Sequence, residues 1–144
     1  MSHRPISTII QNHPFLTVPS STSVYDAARL MKENGMDALL VCDKRRLVGV
    51  LTERDIVFRV TAEARNAATT LIAEVMTPDP QTIPPEKPIG HALHMMYEGG
   101  FRHVPVVENG RPVGMVSTRD ALGPELKAFV SEMDEREHLA EILG

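Results

Sequence analysis

Gly49-Val50-Leu51-Thr52-Glu53-Arg54-Asp55 returns 65 positions later as Gly114-Met115-Val116-Ser117-Thr118-Arg119-Asp120. The match extends both ways without a gap. At the same offset Thr17 and Pro19 fall on Thr82 and Pro84, Ala27 on Ala92, Glu33 on Glu98, Gly35 on Gly100, Val41 on Val106 and Arg46 on Arg111. The chain therefore reads as two copies of one unit of about 60 residues, and such a repeat decides the fold before any single element does. A unit that small buries little core by itself, so the two copies are expected to pack on each other.

Each copy reads as strand, helix, strand, strand, helix. In the first, Thr17-Val18-Pro19 is an extended step, because the residue before proline is pushed out of helical geometry. Ser23 has the place of a helix N-cap, with Asp26 in the first turn. Val24, Ala27, Ala28, Leu30 and Met31 form an apolar helical stripe that stops at Asn34-Gly35. Ala38 to Cys42 and Leu47 to Leu51 read as strands across a charged turn, Asp43-Lys44-Arg45-Arg46. In the second copy Asn109-Gly110 supplies the stronger hairpin signal. Ile6, Ile9 and Ile10 precede the first copy as a short helical face, nearly repeated by Leu71, Ile72 and Val75. Residues 62–70 form a soft link. Gly123-Pro124 interrupts the chain, after which Glu125 to Leu143 reads as a helix with Leu126, Phe129, Val130, Met133, Ala140 and Leu143 on one side.

The chain has 144 residues, 42% apolar and 24% charged, with a formal net charge of −4. That is the make-up of an ordinary globular protein. No apolar run approaches the roughly 18 to 20 residues that span a bilayer, and Met1-Ser2-His3-Arg4-Pro5 is followed by no signal-like segment, so a cytoplasmic protein is expected. No long basic run offers the footprint of a nucleic-acid surface. The single cysteine, Cys42, cannot form an intramolecular disulfide and reads as a small buried strand residue.

The motif repeated at each strand-to-helix junction carries the chemistry. The hydroxyl of Thr52 or Ser117 stands beside free backbone N–H groups, a natural place for an anion. Asp55 and Asp120 can each accept two hydrogen bonds, which suits the vicinal hydroxyls of a ribose. Glycine at 49 and 114 would let a planar group approach the backbone. The plain alternative is a pair of capping boxes with no role beyond helix initiation.

Together with Met76-Thr77-Pro78, the Thr-x-Pro steps and Arg102-His103-Val104-Pro105-Val106-Val107, these motifs resemble a tandem of cystathionine β-synthase (CBS) domains. The resemblance runs from about Ile6 to Leu122. It implies an α/β (α+β) fold of two β-α-β-β-α units related by a pseudo-two-fold axis, with two clefts between them. The implied boundaries are 6–65 and 71–124, with a C-terminal helix at 125–144. It further implies a non-enzymatic regulatory module that binds an adenosine-containing ligand (AMP, ADP, ATP, NAD or S-adenosylmethionine) and acts on a partner protein. No obligatory cofactor is implied, and a homodimer is. The ligand-binding residues carried over are Thr17, Thr52, Arg54, Asp55, Thr82, Arg102, His103, Pro105, Ser117, Arg119 and Asp120, with the aspartates on ribose and Thr52 and Ser117 toward ribose or phosphate.

The copies differ at two places. Arg102-His103 corresponds to Asp37-Ala38, so phosphate is expected to prefer the cleft of the second copy, with Asp120 as its ribose ligand. Gln11-Asn12-His13 replaces Met76-Thr77-Pro78. Two other readings compete: an interaction scaffold that binds no ligand, and a nucleotide hydrolase, which would lack a Walker loop or a paired-carboxylate metal site. His91 and His94 lie one helical turn apart without an evident third ligand. Ser117, His103 and Asp120 make a triad only on paper. Met31, Met95 and Met96 fall at core spacing.

Overall fold

The computed structural model describes residues 3–121 and 123–143. The short apolar face at the N-terminus forms α1 (Ile6–Ile10), and the extended step forms β1 (Thr17–Val18). In α2 (Val24–Asn34) the Ser23 hydroxyl caps the Asp26 amide, and Gly35 ends the helix in the left-handed conformation at φ 62°. β2 (Ala38–Asp43) and β3 (Arg46–Thr52) form the hairpin, followed by α3 (Glu53–Ile56), which continues as a π-helical turn over Val57–Thr61. The second copy contributes β4 (Thr77–Pro78), α4 (Ile89–Gly99), β5 (His103–Glu108) and β6 (Arg111–Ser117). A 3-10 turn at Thr118–Asp120 stands where the first copy has α3, and α5 (Gly123–Leu143) ends the chain. This is the expected mixed α/β module of two β-α-β-β-α-like units.

β2 is buried along Ala38, Leu39, Leu40 and Val41 with no polar alternation. A strand reads that way when both faces are covered. Leu39, Val41 and Leu51 join Val24, Ala27 and Met31 in the core of the first unit. Leu40 and Val50, opposite each other in register, are buried on the other face, where β3 lies beside β6.

The two lead-in segments are exchanged. α1 puts Ile6 and Ile9 into the core of the second unit, with Ile83, Ile89, Leu93, Val104 and Val116. The 3-10 turn Ile72–Glu74 returns the exchange, placing Ile72 and Val75 in the core of the first unit. Backbone bonds fix both ends: Ile6 N–H donates to Lys87 O and Ile89 N–H to Arg4 O, while Val24 N–H donates to Thr70 O and Ile72 N–H to Thr22 O. Each fully buried Ile contributes about 1.5–3 kcal/mol. The units are thus mutually dependent, and their sequence boundaries are not their packing boundaries.

This exchange corrects the reading of the two motif glycines. A Cβ on Gly114 would lie 2.8 Å from Ile10 Cβ and Cγ2, and one on Gly49 would overlap Met76 Sδ and stand 3.0 Å from Thr77 O. The glycines admit the partner unit's lead-in, so the space is taken by protein and not by a planar ligand.

The sheets differ because the lead-ins differ. β4 adds to β3 through Gly49↔Pro78 and Val50↔Thr77, completing a four-stranded sheet ordered β1-β2-β3-β4. β5 and β6 form a two-stranded sheet with a single parallel bridge from Ile83 to Val106. Cys42 lies at the β2 bulge, half-buried, and burial pushes its thiol pKa up. Helix α5 begins at Gly123, earlier than expected, with Pro124 in the first turn where a missing N–H costs least. Phe129 packs edge-on against His94 and Tyr97 of α4, and Met133 is buried, whereas Leu126 and Val130 are exposed. Ala140 and Leu143 lie outside the described side chains.

Candidate functional site

Thr52 ends β3 and caps α3. Its hydroxyl accepts from the Asp55 amide at 3.2 Å, and Asp55 Oδ2 accepts from the Thr52 amide at 2.9 Å. The capping box is therefore real, and it uses one carboxylate oxygen. Asp55 Oδ1 faces Arg59 Nε at 3.8 Å, beyond hydrogen-bond distance, and keeps its acceptor capacity. Arg59 is itself held by Val75 O and Met76 O at 3.0 and 3.2 Å. In the second copy Asp120 Oδ2 accepts from the Ser117 amide at 2.6 Å, and the Ser117 hydroxyl accepts from the Arg119 amide at 3.2 Å.

A cleft of about 780 Å³ brings the copies together. It is lined by Thr52, Asp55, Thr77, Arg54, Arg102, His103, Ser117 and Arg119, together with the carboxylates of Asp37 and Glu53. Eight of the residues and positions singled out in sequence thus converge, Thr77 being one that entered only through Met76-Thr77-Pro78. Such a volume accommodates a nucleotide-sized molecule. The pairing of parts departs from expectation: Arg102 and His103 share this cleft with Asp55, not with Asp120. A side chain at the start of β5 points across the interface toward the other copy's motif, so basic residues of the second copy serve the motif of the first.

The charges in the cleft are unequal in their commitments. Arg54 lies over the Phe58 ring at 5.1 Å, and among the described residues the exposed Arg102 guanidinium makes no hydrogen bond or ion pair. His103 Nε2 lies 3.1 Å from Asp37 Oδ1, and Arg119 Nη2 lies 3.6 Å from Asp37 Oδ2. Asp37 was not among the sequence candidates. Its signal was its alignment with Arg102, although its partners in the fold are the neighbouring His103 and Arg119.

Four of the expected site residues lie elsewhere. Thr17 pairs with Leu40 in the sheet, Thr82 is exposed, Pro105 is a buried strand residue in register with Met115, and Asp120 lines neither this cleft nor the second hollow described below. Asp120 is closed off by the N-terminal segment. His13 Nδ1 lies 2.8 Å from Asp120 Oδ1, and Arg4 Nη2 donates to Asp120 O at 2.7 Å. Arg4 also grips Glu125 with Nε at 3.1 Å and Nη2 at 2.7 Å, and that carboxylate raises the Arg4 pKa above its ordinary value. The triad drawn from Ser117, His103 and Asp120 is not assembled, because His103 serves Asp37.

His94 Nε2 lies 3.2 Å from Glu132, and among the described residues no group of three His, Cys, Asp or Glu is arranged to hold a metal. No helix among them is long and apolar enough to cross a membrane.

Comparison with known proteins gives a match to the CBS domain model over residues 6–62 and again over 72–123. The CBS domain-containing protein CBSCBSPB1 of Arabidopsis thaliana is 38% identical over 108 residues, covering 74% of this chain and 20% of that protein. The chain thus spans about a fifth of such plant relatives. A conserved protein from Pyrococcus horikoshii has a similar structure, with a TM-score of 0.76 at 30% identity, covering 83% of this chain and 90% of that one. The CBS domain protein PAE2072 from Pyrobaculum aerophilum, whose structure is complexed with AMP, has a TM-score of 0.78 at 23% identity, covering 88% and 98%. A duplicated motif on two interlocked units, each matched by the same domain model, leaves one assignment: the chain belongs to the CBS domain family and carries two CBS domains in tandem.

Proposed function

We propose that the chain senses an adenine nucleotide in the cleft between its units and passes the result to a partner protein. CBS domains are regulatory modules without catalysis of their own, so the cleft is read as a site of binding. The observation that carries the reading is the meeting of a carboxylate with a spare oxygen, Asp55, and a rim of guanidinium groups, Arg54, Arg102 and Arg119, in one hollow of about 780 Å³. Asp55 would take a ribose hydroxyl. The guanidiniums would take phosphate, the anion for which their planar fork is best matched. The basic rim disfavours a sulfonium ligand such as S-adenosylmethionine and favours a phosphorylated one. That the same fold holds AMP in PAE2072 supports the cleft as a place for such a molecule.

Calorimetric titration with ATP and adenosine tests this reading. Asp55→Ala should weaken both about tenfold to a hundredfold, as loss of a charged acceptor does, and 2′-deoxy-ATP should reproduce part of that loss. Arg102→Ala should weaken ATP and leave adenosine unchanged. No heat with either ligand, and no shift in melting temperature, would return the module to the scaffold reading.

A further inference from the structure

The acid paired with His103 and Arg119 of the second copy comes from the first copy. Asp37 sits just beyond the C-cap of α2 and reaches over to His103 at 3.1 Å and Arg119 at 3.6 Å. Its backbone carbonyl accepts from the Glu53 amide at 3.0 Å, which ties the end of α2 to the start of α3. Behind it lies a second hollow of about 470 Å³ between α2 and α3, lined by Met31, Met36, Glu53 and Ile56. Asp37, Glu53, Val57 and Arg119 belong to both hollows and form the wall between them.

We propose that Asp37 stands in for the ligand's phosphate in the free protein, and that a phosphate entering the cleft displaces it, releasing the link between α2 and α3. This rests on the nucleotide reading of the cleft and adds its means of output. The geometry gives the reason. A carboxylate oxygen 3.6 Å from a single guanidinium nitrogen is a weak partner for Arg119, and a phosphate offers that group a bidentate bond at closer range. The Arg119 side chain is 79% exposed and already lines the cleft. Once Arg119 leaves, Asp37 faces an incoming dianion, and like charges at that distance repel. The movable part is the loop of Met36 and Asp37 between Gly35 and β2, so a change in the cleft arrives at the surface of α2 and α3. Asp37 is thereby a specificity residue as well: it opposes anionic ligands until they carry enough charge to replace it, and it is indifferent to adenosine.

The test compares wild type, Asp37→Asn and Arg119→Gln by titration with ATP and adenosine, and by hydrogen exchange at the Met36 and Glu53 amides. Asp37→Asn should bind ATP about tenfold more tightly, with adenosine unchanged. ATP should speed exchange at Glu53 in the wild type, and both variants should show that faster exchange without ligand. Arg119→Gln alters a largely exposed side chain and serves even if Asp37→Asn does not fold. Wild-type binding of ATP with no gain in Asp37→Asn, or exchange at Glu53 unmoved by ATP and by Arg119→Gln, overturns the gate and leaves the cleft reading standing. Absence of binding by ATP and adenosine to all three proteins overturns the cleft reading and the gate with it.

Discussion

His13 Nδ1 rests 2.8 Å from Asp120 Oδ1, joining the lead-in of the first copy to the motif of the second. With Oδ2 already accepting from the Ser117 amide, Asp120 has both oxygens engaged, whereas Asp55 has one to spare. The two aspartates are equivalent in sequence and unequal in the fold.

One nucleotide per chain is therefore the expected stoichiometry by calorimetry, bound at Asp55. Asp55→Ala should weaken that binding about tenfold to a hundredfold, and Asp120→Ala should lower melting temperature with little effect on affinity, the reverse of what the repeat by itself suggests. His13→Ala should cost only about 0.2–1 kcal/mol, since the imidazole is half-exposed and screened. A stoichiometry of two in the wild type would show that the His13 contact yields to ligand.

The motif glycines should differ in their tolerance of alanine. At Gly114 the new Cβ meets the branched carbon of Ile10, anchored in α1, and a loss of about 1–3 kcal/mol is expected from overpacking. At Gly49 the foremost obstacle is the Met76 thioether, which can swing aside, so Gly49→Ala should cost less. Urea denaturation of the two variants checks the order.

The hairpin of the first copy reaches the same turn as the second without its glycine. Lys44 and Arg45 have φ of 51° and 67°, beside 54° and 78° at Asn109 and Gly110. A left-handed residue with a side chain carries strain of about 1–2 kcal/mol, partly offset by the greater chain entropy glycine loses. Arg45→Gly should raise stability by up to about 1 kcal/mol, and an unchanged or lower melting temperature would count against it.

Acid should loosen the first unit through Asp43. The Ser20 hydroxyl and amide, at 2.6 and 3.0 Å, hold its carboxyl below the ordinary carboxylate range. Folded protein then binds that proton less readily than unfolded protein, so the contribution is complete above the ordinary range and is lost as pH falls through the depressed value. Asp43→Asn should flatten the fall of stability in that acid window, measured by melting at a series of pH values.

The sequence alone determined the repeat, the order of elements, the caps at Ser23 and Gly35 and the turn at Asn109-Gly110, because each of these rests on residues within a few positions of one another. It also identified the family, through motifs that are local. What the tertiary structure decided is which copy's parts meet. Ile6 and Ile72 look like lead-ins to their own units and are core residues of the other, since a 60-residue unit completes its core by borrowing. Arg102 and His103 precede their own copy's motif in the chain and share a cleft with Asp55 of the other copy, because residues at the interface of paired units look across it. Asp37, beside Ala38 in the chain, becomes the partner of His103 and Arg119 for the same reason, and Asp120, a match for Asp55 in every local feature, is occupied by His13 from more than a hundred positions away. Periodicity and spacing report a residue's neighbours along the chain; the choice between these equivalent motifs was made by contacts that exist only once the two copies have closed on each other.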